Sequence, residues 1–380
     1  MDYRQISIDL HKKYRGKLDI ITRFDINNKH DLSSAYSPGV AAPCLEIQKD
    51  GSRFKEFTSA GSTIAVISDG SAVLGLGNIG ARASMPVMEG KAALFRRFGG
   101  INAFPIVLET QDTEEIIKTI THIAPSFGGI NLEDISAPRC FTIENRLADI
   151  LSIPVFHDDQ HGTAIVSLAG LINASKITGK GKKQKIIING SGAAGIATAR
   201  LLAAYEFQNI IMCDTKGIIH SGRDDLHQAK KDILAITNPA NQSGSIFDAI
   251  KNADVFIGLS KGNLLKAAHI KTMNHDAVVF AMANPTPEIM PDEAIAGGAR
   301  IVATGRSDFP NQLNNVLVFP GIFKGALACG AVKITTIMKI AAAESLSSII
   351  TNPDAENIIP SPFTEGVADC VAQAVKNCMP

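Results

Sequence analysis

The chain has 380 residues, of which 45% are hydrophobic and 19% are charged. This balance is typical of a packed globular protein and excludes a disordered chain, and the length exceeds what one hydrophobic core usually supports. Lys plus Arg and Asp plus Glu both total 37, so no global charge attracts nucleic acid or an anionic membrane. Two domains with a ligand cleft between them are the first expectation.

The cysteines and the N-terminus indicate a cellular compartment. The 6 cysteines include no C-x-x-C pair, which favours reduced thiols over a disulfide or a zinc site. The first residues carry no apolar signal region, and no apolar run reaches the length of a membrane span. We therefore expect a cytoplasmic protein that binds neither a membrane nor nucleic acid.

Strands and helices alternate along the first half of the chain from about residue 64. The predicted strands are 64–68, 104–108 and 153–157, and the predicted helices are 85–98, 113–123 and 162–176. We assign 1–162 to an N-terminal α/β domain for substrate and metal and 163–380 to a dinucleotide-binding domain with a core to about residue 300. The basic, glycine-rich stretch 179–183 has the composition of an interdomain boundary.

The second half has the pattern of a doubly wound parallel sheet. Its predicted strands are 185–189, a strand ending at Asp214, 255–258 and 277–281, and a helix follows the first of them to about Tyr205. From 323 to about 350 the pattern is helical, and we expect this helix to pack back on the first domain. The predicted fold is two-domain α/β with a Rossmann unit.

A G-x-G-x-x-G motif lies between a predicted strand and a predicted helix, and this context makes it specific. Its glycines permit a tight turn and close approach of a pyrophosphate, and the helix N-terminus stabilises the phosphate charge. A glycine turn selected for packing alone is the other interpretation. The predicted cofactor-binding residues of this loop are Gly190, Ser191, Gly192, Ala193, Ala194 and Gly195.

Asp214 ends the next strand, where a carboxylate can accept hydrogen bonds from ribose hydroxyls. It favours NAD, because its charge would repel the 2′-phosphate of NADP. Lys216, two residues further on, could pair with that phosphate, so NADP stays possible.

Two acidic pairs each follow a predicted strand: Glu133 with Asp134, and Asp158 with Asp159. Parallel strands bring both pairs to one carboxyl edge, where four carboxylates need a cation and suit Mg²⁺ or Mn²⁺. Helix N-terminal caps are the alternative interpretation of these pairs. We interpret the neighbouring His157 and His161 as supporting or structural residues.

Lys91 becomes a candidate through its setting, whereas the setting of Tyr36 alone does not single it out. Lys91 lies among apolar residues of a predicted helix, where desolvation would lower the pKa of its amine toward that of a useful base. Tyr36 lies on a predicted turn, where packing or surface exposure is the ordinary explanation.

Seven segments in order along the chain resemble the malic enzyme family, in its short bacterial form. They are 36–40 (YSPGV), 68–78 (SDGSAVLGLGN), 129–134 (GINLED), 157–164 (HDDQHGTA), 283–288 (ANPTPE), 303–308 (ATGRSD) and 314–321 (NNVLVFPG). The resemblance implies oxidative decarboxylation of malate to pyruvate with NAD or NADP, and a homodimer. It also implies that the metal is held by Glu133, Asp134 and Asp159.

The resemblance assigns further roles. Lys91 would take the hydroxyl proton of malate, with Asp158 tuning its charge, and Tyr36 would protonate C3 of the enol product. Asn284 and Asn315 would contact substrate and the nicotinamide ribose, while Asn314 supports the loop.

Longer family members carry an arginine for the malate carboxylate where this chain has Ala72, a departure that leaves this contact without a residue. The remaining candidates, which the sequence does not rank, are Arg23, Arg82 and Arg139, or a residue of a second subunit.

Two other classes of protein share part of this pattern. A metal-independent two-domain dehydrogenase would leave the acidic cluster without a purpose, and a catalytically silent NAD(P) sensor would not need Tyr36, Lys91 and the carboxylates together. If a homodimer shares its sites, mixing Lys91→Ala and Asp159→Ala variants should restore activity.

Overall fold

A computed structural model describes residues 3–73 and 75–379. Met1 and Asp2 of the N-terminus, Leu74 of the 68–78 segment, and Pro380 lie outside the described residues. The strands are β1 (Thr63–Ser68), β2 (Asn102–Val107), β3 (Gly129–Leu132), β4 (Val155–His157), β5 (Lys185–Asn189), β6 (Asn209–Asp214), β7 (Gly217–Ile218), β8 (Val255–Gly258), β9 (Ala277–Ala281) and β10 (Ala299–Thr304). The helices are α1 (Tyr3–Tyr14), α2 (Lys29–Ala35), α3 (Ala41–Lys49), α4 (Phe54–Phe57), α5 (Ala81–Leu94), α6 (Thr113–Ile123), α7 (Arg139–Ile150), α8 (Asp158–Thr178), α9 (Ala193–Ala204), α10 (Gln228–Ile233), α11 (Ile246–Ala249), α12 (Ala267–Ile270), α13 (Pro291–Ala296), α14 (Phe319–Ala328), α15 (Thr336–Ser348) and α16 (Val367–Asn377).

The first sheet has four parallel strands in the order β2-β1-β3-β4. Its central strands are short apolar runs that are buried on both faces, as parallel strands covered by helices require. Leu132 at the end of β3 pairs with His157 at the end of β4. The residues that follow these two strands therefore leave the sheet side by side.

The second sheet has the order β10-β9-β8-β5-β6-β7, and all its pairs are parallel except that of β6 with β7. The chain runs outward from β5 in both directions, so the gap between β5 and β8 is a topological switch point, where such sheets bind ligands. This sheet confirms the predicted Rossmann unit.

The C-terminal helices pack back on the first domain, as predicted. Phe319 and Phe323 of α14 contact Phe95, with ring centroids 4.6 and 5.4 Å away. The stretch expected to be helical from 323 to about 350 consists of two helices, because the chain leaves α14 at Ala328 and reaches Gly330 with a φ of +67°. Such a left-handed residue ends a helix, and α15 starts anew behind a Thr335 cap.

Helix α8 joins the two sheets and runs through the predicted boundary at residue 162. The stretch 179–183 is not an interdomain boundary, because it connects α8 to β5 while α8 already packs on α9 and α15 of the second unit. Asn173 of α8 is buried and donates to the carbonyl oxygens of Ser347 and Ile358, which fixes α8 to the C-terminal region.

The N-terminal segment, residues 3–59, contains no buried residue. It nevertheless exposes large apolar side chains, among them Ile20 and Ile21, which are 80% and 81% exposed. Lys17 attaches it to α5 through a backbone N–H bond to Glu89 and an ammonium bond to the Pro86 carbonyl. Exposed apolar side chains in this number are typical of a surface that binds another molecule.

All 6 cysteines are free in the described structure, as predicted. Among the described helices, none combines the length and the apolar character that crossing a bilayer would take.

Candidate active site

Three carboxylates converge at the carboxyl edge of the first sheet. Glu133 and Asp134 follow β3, Asp159 lies in the first turn of α8, and one oxygen of each lies within 4.8 Å of the others. Asp134 adopts a left-handed φ of +54°, and its N–H donates to Asp159 Oδ2 at 2.7 Å. The structure thus brings together the three residues that the sequence assigned to the metal.

Lys91 reaches this cluster from α5. Its Nζ lies 2.6 Å from Asp158 Oδ2 and 2.8 Å from Glu133 Oε1, and 4.3 Å above the ring of Phe319. Lys91 and both carboxylates are buried. The predicted acid–base group is therefore in direct contact with the predicted metal cluster.

The expectation for the Lys91 pKa is wrong in the absence of a metal ion. Burial lowers the pKa of Lys91, but the carboxylates of Asp158, Glu133 and Asp159 together raise it well above its ordinary value. Desolvation is the largest single effect, yet three anions near one ammonium, two of them buried, together outweigh it.

The same surroundings make the carboxylates a good set of ligands for a divalent cation. Burial raises the pKa of Asp159 to about 6 and that of Asp158 to about 7, because one ammonium does not balance the buried negative charge. Asp158 Oδ1 is buried and makes no hydrogen bond to the described residues. Hard oxygen donors in this number fit Mg²⁺ or Mn²⁺.

Glu144 of α7 is a supporting residue that the sequence analysis missed. Its carboxylate accepts hydrogen bonds from the His157 N–H and from Gln160 Nε2, both at 2.8 Å, and lies 3.0 Å from His161 Nε2. It thereby holds the chain on both sides of Asp158 and Asp159. The available signal was an acidic residue on the apolar face of a strongly amphipathic helix.

His157 and His161 lie outside the carboxylate cluster, in agreement with the supporting or structural role expected of them. His157 is fully buried, and its Nδ1 is 3.8 Å from Asp159 Oδ2. Burial lowers the pKa of both imidazoles, although the charge of Glu144 opposes this.

The three arginines that are candidates for binding the malate carboxylate differ in how far their side chains are already bonded within the protein. Arg139 donates to Asp69, Ser71 and Ser136 at 2.8–3.0 Å and to the Gln111 carbonyl at 2.6 Å, so it stabilises the 69–71 turn. Arg23 donates to Ser62, and Arg82 is 94% exposed beside Glu109. Arg139 is thus committed to the fold.

The glycine loop lines a cleft of about 810 Å³ at the switch point of the second sheet, which also receives Ala137 and Pro138 from the first domain. Gly190 has a φ of +121°, and a Cβ there would lie 2.4 Å from the Leu259 carbonyl oxygen. A Cβ on Gly192 would meet nothing within 4 Å, so a ligand can approach this part of the loop. Ser191 lies between these glycines, and Ala193, Ala194 and Gly195 form the first turn of α9.

Asp214 lies in the same cleft and is already paired. Arg223 donates to both of its oxygens at 2.9 Å, and Lys230 Nζ lies 2.6 Å away. Lys216 instead pairs through its Nζ with Asp225 at 3.0 Å. Lys230 and Arg223, neither of which the sequence singled out, are the two cations paired with Asp214.

Asn315 and Asn284 each lie close to a residue of the first domain or of α8. A Cβ on Gly162 would lie 2.0 Å from Asp158 Oδ1 and 2.9 Å from Asn315 Cβ, so Asn315 and Asp158 meet at this glycine. Asn284 follows β9, and its carbonyl oxygen faces Gly75 of the first domain. The predicted loop role of Asn314 agrees with its bond from the Val316 N–H at 2.9 Å.

Tyr36 is the predicted site residue that stands apart. It follows α2 and is 68% exposed, and its side chain makes no hydrogen bond, ring contact or ion pair with the described residues. Its ring is therefore not fixed in the buried cluster around Lys91.

Comparison with known proteins covers nearly the whole chain. The family model "Malic enzyme, N-terminal domain" matches residues 15–148, and "Malic enzyme, NAD binding domain" matches 160–378. The bifunctional malic/malolactic enzyme of Bacillus subtilis is 51% identical over 99% of this chain and 92% of its own length. The NAD-dependent malic enzyme of Geobacillus stearothermophilus is 52% identical over 95% of this chain and 76% of its own length.

A crystal structure of a malic enzyme from Pyrococcus horikoshii superposes with a TM-score of 0.95 at 47% identity, over 98% of this chain and 90% of that one. The chain belongs to the malic enzyme family and is a nicotinamide-dependent oxidoreductase that decarboxylates.

Proposed function

We propose that the chain oxidises (S)-malate with NAD or NADP and decarboxylates it to pyruvate and CO₂, in dependence on Mg²⁺ or Mn²⁺. One observation carries this proposal: Lys91, the only ammonium bonded to Asp158 and Glu133 in the described residues, lies beside three converging carboxylates. A metal-independent dehydrogenase would have no use for that cluster. A silent sensor would have no use for the buried lysine.

Glu133, Asp134 and Asp159 would hold the divalent ion, which when bound supplies Lewis-acid stabilisation of charge on the substrate. Lys91 Nζ would take the C2 hydroxyl proton in its neutral form as the hydride leaves C2, because a divalent ion held by Glu133, Asp134 and Asp159 would offset the negative charge that raises the Lys91 pKa. Asp158, at 2.6 Å, keeps the amine oriented and balances its charge. Protonation at C3 after loss of CO₂ completes pyruvate, and we assign this proton to Tyr36.

The amides of Asn284 and Asn315 bind substrate and the nicotinamide ribose, since an amide donates to a carboxylate without adding charge. The glycine loop from Gly190 to Gly195 receives the pyrophosphate. NAD remains the favoured cofactor, because Asp214 presents a carboxylate at the ribose position, while Lys230 beside it gives NADP a partner for its 2′-phosphate.

The test is reduction of NAD and of NADP at 340 nm with purified protein and L-malate, with and without Mn²⁺, while pyruvate is assayed. We expect metal-dependent reduction with one pyruvate per reduced nicotinamide. Oxaloacetate without pyruvate would make the chain a malate dehydrogenase, and no reduction with either cofactor would favour the sensor.

We also propose that the protein is a homodimer in which Tyr36 of one subunit completes the site of the other. The unburied, apolar segment 3–59 supports a partner of the same kind, and Tyr36 belongs to that segment while Lys91 does not. Mixing Lys91→Ala with Asp159→Ala does not test this, because both residues belong to one cluster within one chain.

The informative pair is Tyr36→Phe with Lys91→Met. In a dimer with shared sites, half of a randomly reassembled mixture is heterodimer and has one intact site, so activity recovers to about a quarter of wild type. Co-refolded or subunit-exchanged mixtures are compared with unmixed variants. A mixture no more active than its parts would place Tyr36 and Lys91 of each site in one chain.

The cytoplasmic location stays a prediction from the free thiols.

A further inference from the structure

A second, smaller cavity lies between the domains, and its lining includes none of the three carboxylates of the candidate metal cluster. It has a volume of about 180 Å³ and receives Glu144 from α7, His161 from α8, Arg200 from α9, and Lys333 and Lys339 from the C-terminal region. It shares no lining residue with the dinucleotide cleft. At about 30 Å³ per water, it has room for one small ligand with a few waters.

Both oxygens of the one carboxylate in this cavity, that of Glu144, already accept hydrogen bonds. Glu144 accepts bonds from the His157 N–H and Gln160 and lies 3.0 Å from His161. Burial raises the pKa of Glu144, but His161 and Lys339 outweigh this effect and lower it to about 2. Glu144 therefore stays negative and supplies one charge to the cavity.

Two cations in the cavity lack a partner. Among the described residues, neither the Lys339 nor the Arg200 side chain makes a hydrogen bond or an ion pair within 4.0 Å; Lys339 is partly buried and Arg200 is exposed. Burial lowers the pKa of Lys339 to about 8, with Glu144 opposing and Arg200 adding to this effect. Lys333 differs, because its Nζ pairs with Asp149 at 2.7 Å. A partly buried ammonium without a hydrogen-bond acceptor is costly, and Lys339 faces the cavity together with the guanidinium of Arg200.

We propose that this cavity binds a small oxyanion, a phosphate or a carboxylate, between Lys339 and Arg200. Guanidinium and ammonium groups are the side chains that bind such anions through charge-assisted hydrogen bonds. The anion would connect α9, whose first turn carries the glycine loop, to α15. Glu144 of the first domain lines the same cavity and binds the segment that carries Asp158 and Asp159 through the His157 N–H and Gln160. The site thus lies where a ligand can stabilise the packing of the two domains.

The test is isothermal titration calorimetry with inorganic phosphate, using acetate in a parallel arm. The protein is saturated with NADH, which fills the pyrophosphate loop, and kept in chelator, which prevents binding through a divalent metal. We expect saturable phosphate binding that Lys339→Met and Arg200→Met each weaken at least about tenfold, the effect of losing one charge-assisted bond. Lys333→Met is the matched control and should change the affinity less than about twofold.

A stronger response to phosphate or to acetate identifies which oxyanion chemistry the cavity selects. Circular dichroism checks that each variant is folded, and a tungstate soak of wild-type crystals gives a second measurement that needs no variant. An anomalous peak between Lys339 and Arg200 supports the site. Equal affinities of wild type and Lys339→Met, or no saturable binding of either anion by wild type, would overturn it.

Discussion

The carboxyl edges of the two parallel sheets carry charge in different ways. At the first edge, Glu133, Asp134, Asp158 and Asp159 surround one ammonium, Lys91. At the second edge, Asp214 and Asp225 share three cations, Arg223, Lys230 and Lys216.

The pKa values of the carboxylates follow this difference. Burial raises the pKa of Asp159 to about 6, whereas that of Asp214 is lowered because bonds from Arg223 and Lys230 outweigh burial. At the second edge, cationic side chains of the protein itself balance the charge of the carboxylates. The first edge retains excess negative charge, and a divalent cation is the chemical species that would balance it.

Removing the single ammonium of the first edge should have the largest effect. Lys91→Met keeps the buried stem but loses the proton acceptor, and we expect kcat to fall by about 10²–10⁴-fold, the usual worth of general acid–base catalysis. Malate-dependent reduction of the nicotinamide measures it. Lys118→Met, an exposed lysine on α6, is the control. A variant that keeps a tenth of wild-type activity would remove Lys91 from the chemistry.

Neutralising one carboxylate at each edge should separate the two edges by their response to metal. For wild type, Mn²⁺ at 100 times its dissociation constant should add about 2.7 kcal/mol to the free energy of unfolding. Asp159→Asn should lose most of this gain, since it removes a ligand, while Asp225→Asn should keep it. Calorimetry or circular dichroism gives the unfolding temperature, because the chain contains no Trp.

The metal-free proteins should differ in pH dependence as well. Asp159 has a folded-state pKa of about 6, above its ordinary 3.8, so this carboxyl group binds more protons in the folded than in the unfolded chain over this range. Relative to Asp159→Asn, wild type should therefore lose stability as the pH rises from 3.8 to about 6. Parallel curves for the two proteins would contradict the excess charge assigned to the first edge.

The smallest effect is expected from a substitution at the second edge, on the preference for NADP over NAD. Asp214→Asn removes the charge that opposes a 2′-phosphate and releases Lys230 to bind it, so kcat/KM with NADP should rise relative to NAD by about tenfold. The two cofactors are compared at saturating malate. Lys216→Met should leave the ratio nearly unchanged, because Lys216 is held by Asp225. A shift in the Lys216 variant alone would return the phosphate contact to that residue.

Local patterns in the sequence predicted the elements that position the site. Strand 185–189, strand 255–258, strand 277–281 and helix 113–123 have the predicted bounds, since short apolar runs and amphipathic periodicity are local signals. The break between α14 and α15 was missed, because the apolar pattern continues across it while one left-handed glycine ends the helix.

The carboxylates of the candidate metal cluster and Lys91 were also accessible from the sequence, through strand ends and through the family resemblance. The sequence by itself determined which residue types lie at the two sheet edges. Only the tertiary structure decided their charge states and partners: that three anions raise the Lys91 pKa against desolvation, that Asp214 is paired with Arg223 and Lys230, and that Tyr36 stands exposed. The physical reason is that Coulomb interactions and burial depend on distances between residues far apart in the chain, which local patterns do not contain.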